Sequence, residues 1–169
     1  MRILILSDSH GDVTSMQRTV ERTKPDQIVH LGDCWRDGEE LKKRFPLLPI
    51  AQVLGNCDAW SFSSPPIQSG DSWALGARST EQLVLTLGGH RVFLCHGHRY
   101  QVKNSLLSLS YAAREAGAEL CLFGHTHTQH LETMEGLTLL NPGSIGPLQH
   151  GFAVAETDGG RLRCALLHL

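Results

Sequence analysis

The chain has 169 residues, 41% hydrophobic and 19% charged, enough for one domain that buries about 70% of its unfolded surface. Fifteen Lys and Arg against 17 Asp and Glu give a formal net charge of -2, which excludes the basic field of a nucleic-acid or acidic-membrane binder. No apolar run approaches the ~20 residues that cross a bilayer. The first one, residues 3–6, passes directly into Ser7 and Asp8 without a cleavage site, so the expectation is a soluble cytoplasmic protein.

Apolar runs at residues 3–6, 28–31, 50–54, 92–95, 120–123 and 137–140 each stop at a polar or Gly-containing turn. Such runs, lacking alternation, read as strands buried on both faces. Helices are predicted from Val13, Met16 and Val20, from residues 39–45, and from Leu106, Leu109, Ala113 and Ala116, with Gly117 as the C-terminal cap of the last. Residues 83–87 and 91–95 flank Gly88-Gly89-His90 as a hairpin does, and residues 152–156 and 162–167 repeat the pattern across Asp158-Gly159-Gly160. The order βαβαβ, strand pair, αβ and further strands predicts an α/β fold of two packed, mixed sheets with helices on them.

Residues 59–80, rich in Ser, Gly and Pro and carrying Trp60 and Trp73, resist assignment. They read either as a solvated excursion or as a cap over the site or a subunit contact within a homo-oligomer. Otherwise residues 1–169 form a single domain. The cysteines Cys34, Cys57, Cys95, Cys121 and Cys164 are scattered with no C-x-x-C pair, which reads as reduced core thiols.

Five apolar runs end in groups of metal-ligand type: Asp8-Ser9-His10, Gly32-Asp33, Gly55-Asn56-Cys57-Asp58, His96-Gly97-His98 and Gly124-His125-Thr126-His127. Ligands of open α/β sheets gather at the C-terminal ends of strands, so these groups are expected to converge. Asp8, His10, Asp33, Asn56, His96, His125 and His127 would supply seven ligands, more than one tetrahedral zinc uses, which points to two divalent ions with Asp33 able to bridge them. Imidazole, carboxylate and amide oxygen together suit Mn, Fe, Ni, Co or Zn, with Mn the first choice.

In this order the motifs resemble the calcineurin-like metallophosphoesterases, and Asn141-Pro142-Gly143-Ser144 with the short length resembles their small prokaryotic phosphodiesterase branch. The resemblance covers the chain except residues 59–80. It implies a four-layer αββα sandwich, a dinuclear centre and hydrolysis of a small phosphoester substrate. Position by position, one ion would take Asp8, His10, Asp33 and His127, and the other Asp33, Asn56, His96 and His125. A hydroxide held between them would attack phosphorus in line. Many relatives have His after the Asn, where this chain has Cys57, a poorer proton donor; the small branch often shows Cys there. Activity is then expected to favour acidic leaving groups or to rely on His98.

Other assignments stay open in the sequence. His98 either faces the phosphate or caps a turn; Asp58 either orients the Asn56 segment or caps local amides. Residues 141–144 read as a rigid strand-ending turn in preference to a donor of backbone N–H groups. His30, His90, His130, His150 and His168 read as structural or solvated. The competing functions are a phosphomonoesterase, a cyclic-nucleotide or nucleic-acid phosphodiesterase on the same metals, and a protein-binding scaffold of the same fold.

Overall fold

Along the first strand Ile3 and Ile5 face one side and Leu4 and Leu6 the other, and all four are buried, because the strand is covered on both faces. The computed structural model describes residues 1–58 and 81–169; the segment 59–80, with its alternative readings, lies outside them. In chain order the elements are β1 (Arg2–Leu6), α1 (Val13–Thr23), β2 (Gln27–His30), α2 (Trp35–Arg44), β3 (Ile50–Gln52), β4 (Gln82–Leu87), β5 (His90–Cys95), a 3-10 turn (His98–Tyr100), α3 (Leu107–Glu115), β6 (Leu120–Leu122), β7 (Gln129–Met134), β8 (Leu137–Pro142), β9 (Gly151–Asp158) and β10 (Arg161–His168).

They build two five-stranded sheets, ordered β10-β9-β1-β2-β3 and β4-β5-β6-β8-β7. In the first sheet β1, β2 and β3 run parallel and the β9–β10 hairpin is antiparallel. In the second, β5, β6 and β8 are parallel and the edge strands β4 and β7 antiparallel. Between the sheets lies a core including Ile3, Ile5, Val29, Leu31, Leu94 and Leu122. Leu4, Leu6 and Ile28 on the outer face of the first sheet meet Met16 and Val20 of α1 and Leu41 of α2. Phe93, Cys121 and Leu139 on the second meet Leu109 and Ala113 of α3. These three cores make the four layers αββα.

Local chemistry explains the joints. Both hairpins pair across two glycines, Leu87 with His90 and Asp158 with Arg161, and all four glycines have positive φ, as a two-residue turn matching the strand twist demands. Helix α3 ends with the N–H groups of Gly117 and Ala118 on the carbonyls of Arg114 and Ala113, at 2.8 and 2.9 Å, the reciprocal pair that a left-handed glycine permits. One expectation needs correction, and one strand was not foreseen. Helix α2 begins at Trp35, four residues ahead of Glu39, because Asp58 caps its start from another loop. Strand β7 gives no apolar run, since it is a sheet edge whose last four residues are exposed.

Candidate metal centre

The parallel strands β1, β2, β3, β5, β6 and β8 all deliver their C-terminal ends to one end of the sandwich, where the loops after them carry the predicted polar groups. One ligand atom each from Asp8, His10, Asp33 and His127 lies within 4.8 Å of the others. His127 Nε2 is 3.2 Å from Asp8 Oδ1 and 3.3 Å from His10 Nε2. His96 extends the group: its Nε2 is 3.1 Å from Asn56 Oδ1, 3.5 Å from Asp33 Oδ2 and 3.9 Å from Asp8 Oδ1. His125 stands further off, its ring centroid 5.1 Å from that of His96.

The backbone is strained where the side chains converge. Asp8, His10, Asp33, His125 and His127 have φ between 46° and 68°, a region that costs a non-glycine residue on the order of 1–3 kcal/mol. Such strain persists only where surrounding contacts over-determine it, and here they do. Asp58 is buried and its two carboxylate oxygens accept the N–H groups of Asp33 (3.2 Å), Cys34 (3.1 Å), Trp35 (2.7 Å) and Gly55 (2.8 Å). It therefore joins the Asp33 loop to the Asn56 loop, combining both roles left open in the sequence. Gly32 must be glycine: at its φ of +94° an added Cβ would lie 2.5 Å from the Gly55 nitrogen.

The Asp8 and His125 loops are braced in the same way. Ser144 Oγ donates to the Asp8 carbonyl at 2.7 Å, and Asn141 Nδ2 donates to the Gly124 carbonyl at 2.9 Å. Residues 141–144 thus act as a rigid turn whose side chains fix two ligand loops. Asp37 escaped the sequence reading. From the first turn of α2 it accepts Ser9 Oγ and the Gly11 N–H, both at 2.7 Å. Its one signal was an acidic residue at a helix start.

Electrostatics set the donors' states. Burial would raise the Asp33 carboxyl, but the His96 ring and the Cys57 N–H, which donates to Asp33 Oδ1 at 2.9 Å, hold it far below the carboxylate range. Burial would lower the His96 imidazole, but the Asp33 and Asp8 carboxylates outweigh it and raise it. Its Nδ1 donates to the Leu31 carbonyl at 2.8 Å, leaving Nε2 aimed at the carboxylates, as ligand histidines are oriented. Burial, then the charge of His96, depresses His125 to about 4. Burial and the Asp33 carboxylate push the Cys57 thiol up to about 11. His98, at the head of the 3-10 turn with its ring 5.6 Å from that of His96, is lowered by burial and by His96.

A divalent ion fits this donor set. Among the described residues, the buried Asp8 Oδ1 accepts no hydrogen bond, although ring nitrogens of His127 and His96 face it. Carboxylate and imidazole groups aimed at one point are what a cation reconciles, and imidazole with carboxylate suits first-row metals.

Comparison with known proteins agrees. The model of the calcineurin-like phosphoesterase superfamily domain matches residues 1–160. The probable metallophosphoesterase YsnB of Bacillus subtilis is 36% identical over 148 residues, covering 86% of this chain and 75% of that protein. A predicted phosphoesterase from Streptococcus pneumoniae TIGR4 superposes with a TM-score of 0.76 at 27% identity, over 99% of this chain and 88% of that one. Two more distant structures share the fold. An archaeal phosphodiesterase has a TM-score of 0.68 at 18% identity, over 99% of this chain and 100% of its own. Zinc-complexed Vps29 from Entamoeba histolytica has a TM-score of 0.67 at 19% identity, over 99% and 98%. The chain belongs to the calcineurin-like phosphoesterase superfamily.

Proposed function

We propose that this protein is a divalent-metal-dependent phosphodiesterase acting on small phosphoesters with acidic leaving groups. The observation that carries the reading is the meeting of Asp8, His10, Asp33 and His127 within 4.8 Å, with His96 Nε2 3.5 Å from Asp33 Oδ2 and 3.1 Å from Asn56 Oδ1. Asp8, His10, Asp33 and His127 would hold one ion and Asp33, Asn56, His96 and His125 a second, with Asp33 shared. Manganese is the first choice, ahead of Fe, Ni, Co and Zn. In such a site the ions would activate a water as nucleophile and neutralise charge on the phosphoryl oxygens.

The chain's own residues determine which esters suit it. Asp33 stays ionised at any working pH, so it accepts no proton during turnover. Cys57, pushed up to about 11, keeps its proton near neutrality and is a weak acid toward a leaving oxygen. His98 is lowered from the ordinary histidine value, so it is mostly neutral at pH 7 and brings no proton of its own. Esters whose leaving oxygen departs without strong protonation are therefore the matched class.

The decisive assay removes metal with chelator, restores Mn and measures bis(4-nitrophenyl) phosphate and 4-nitrophenyl phosphate side by side. Diester hydrolysis should disappear and return, exceed monoester hydrolysis, and accompany two equivalents of metal. Monoester preference would favour a phosphomonoesterase; turnover of neither would favour a scaffold. The likeness to Vps29, named for vacuolar protein sorting in yeast relatives, supports that second reading, and the full set of seven candidate ligands weighs against it.

A further inference from the structure

Ser7 follows β1 directly, on the side where the two sheets meet. Side chains alternate along a strand, and Ile3 and Ile5 fill the core between the sheets, so the residue that continues their face, one position past Leu6, also points inward. It is fully buried. A hydroxyl in that place needs a partner, and Ser7 Oγ donates to Asp8 Oδ2 at 2.5 Å, the short length of a bond to a carboxylate.

The second sheet supplies another donor to the same oxygen. Asp8 Oδ2 also accepts the His125 N–H at 3.1 Å, from the loop after β6. Gly124 lies between, where a Cβ would collide with Ser7 Oγ and stand 2.8 Å from Asp8 Oδ2, so a glycine leaves the room that the hydroxyl takes. With an O–H and an N–H on it, both lone pairs of Oδ2 are used. Oδ1 is buried, accepts no hydrogen bond among the described residues, and faces His127 Nε2 at 3.2 Å and His96 Nε2 at 3.9 Å. The Asp8 backbone is held independently, its N–H on the Gly32 carbonyl at 3.0 Å and its carbonyl accepting Ser144 Oγ at 2.7 Å. What remains for Ser7 to fix is the rotation of the carboxylate about its last bond.

We propose that Ser7 is a positioning residue of the metal centre: by engaging Oδ2 it fixes the rotation of the Asp8 carboxylate, so that Oδ1 alone is offered to the ion that Asp8 would share with His10, Asp33 and His127. This rests on the metal-dependent reading above. The two oxygens of one carboxylate then have separate tasks, Oδ2 tying the β1 loop to the β6 loop and Oδ1 serving the ion. Without the hydroxyl the carboxylate is held by one donor instead of two, and binding must order it.

The test uses the full-length protein as wild type, Ser7→Ala and Ser7→Thr, freed of metal by chelator and titrated with Mn, the free ion being followed by electron paramagnetic resonance. Ser7→Ala should weaken one of the two binding steps by about 10- to 100-fold and leave the other within about threefold, while the melting temperature of the metal-free protein stays within about 5 °C of wild type. Ser7→Thr keeps the hydroxyl and should recover most of that affinity. A folded Ser7→Ala protein with both steps within about threefold of wild type overturns the assignment, as does an equal loss at both steps, which would make Ser7 a support of the fold and not of one ligand. A Thr variant no better than the Ala variant overturns it too. Should the Ala variant fail to fold, Ser7→Cys, whose thiol is the weaker donor, must weaken one step alone or the assignment falls. A wild type that binds Mn and hydrolyses no ester defeats the phosphoesterase reading and leaves Ser7 to these titrations, whereas a wild type that binds no Mn defeats both.

Discussion

Asp58 Oδ2 accepts the backbone N–H of Asp33 at 3.2 Å, so a buried carboxylate outside the candidate ligand group sets the angle of the residue proposed to bridge two ions. The same carboxylate caps the start of α2 through Trp35 and reaches the Asn56 loop through Gly55. Asp58→Ala would leave four N–H groups, two of them in buried residues of the Asp33 loop, without their acceptor. Each unsatisfied buried group costs roughly 1–3 kcal/mol, so a loss of about 3 kcal/mol or more is expected in a urea melt. Asp58→Asn keeps an acceptor oxygen and should lose less, and a tighter Asn variant than wild type would contradict the bracing role.

Asp33→Asn should abolish turnover, by at least about a thousandfold, and cost one or more equivalents of metal. Elemental analysis beside the diester assay checks both. Near-normal activity with full metal content would remove the bridging assignment.

Cys57→His restores an imidazole where the thiol is held at about 11. If the absence of a proton donor limits the rate, the variant should gain about tenfold or more toward alkyl esters and little toward nitrophenyl esters. An identical profile across leaving groups would place the limit elsewhere.

Metal uptake should release a proton. In the metal-free protein His96 is raised above the ordinary histidine value by Asp33 and Asp8, so near pH 6.5 it is more than half protonated. Binding needs the bare nitrogen. His125, depressed to about 4, is already neutral and releases nothing. Calorimetry at pH 6.5 in buffers of different ionisation enthalpy should find proton release that is smaller in His96→Gln than in wild type and retained in His125→Gln. The signs for metal-free stability also oppose each other. The His125 contribution is present above about pH 6.5 and is lost as pH falls toward about 4, whereas that of His96 is present below pH 6.5 and is lost as pH rises through its folded value.

Much of this protein is written locally. Unbroken apolar runs such as residues 3–6 can only be strands covered on both faces, and paired glycines at 88–89 and 159–160 admit tight hairpins, so the layers follow from short-range chemistry. The candidate ligands were legible for the same reason, each following a strand end. What short-range chemistry could not express is who holds whom. The four N–H groups on Asp58, the reach of Asp37 to Ser9 and Gly11 and the edge position of β7 all depend on contacts between segments distant in the chain. The strained φ values of Asp8, Asp33 and His125 depend on them too, because no local sequence favours that backbone in an aspartate or histidine unless packed neighbours impose it. Residue identity chose the donors; only the closing of two sheets on each other set the distances at which they act.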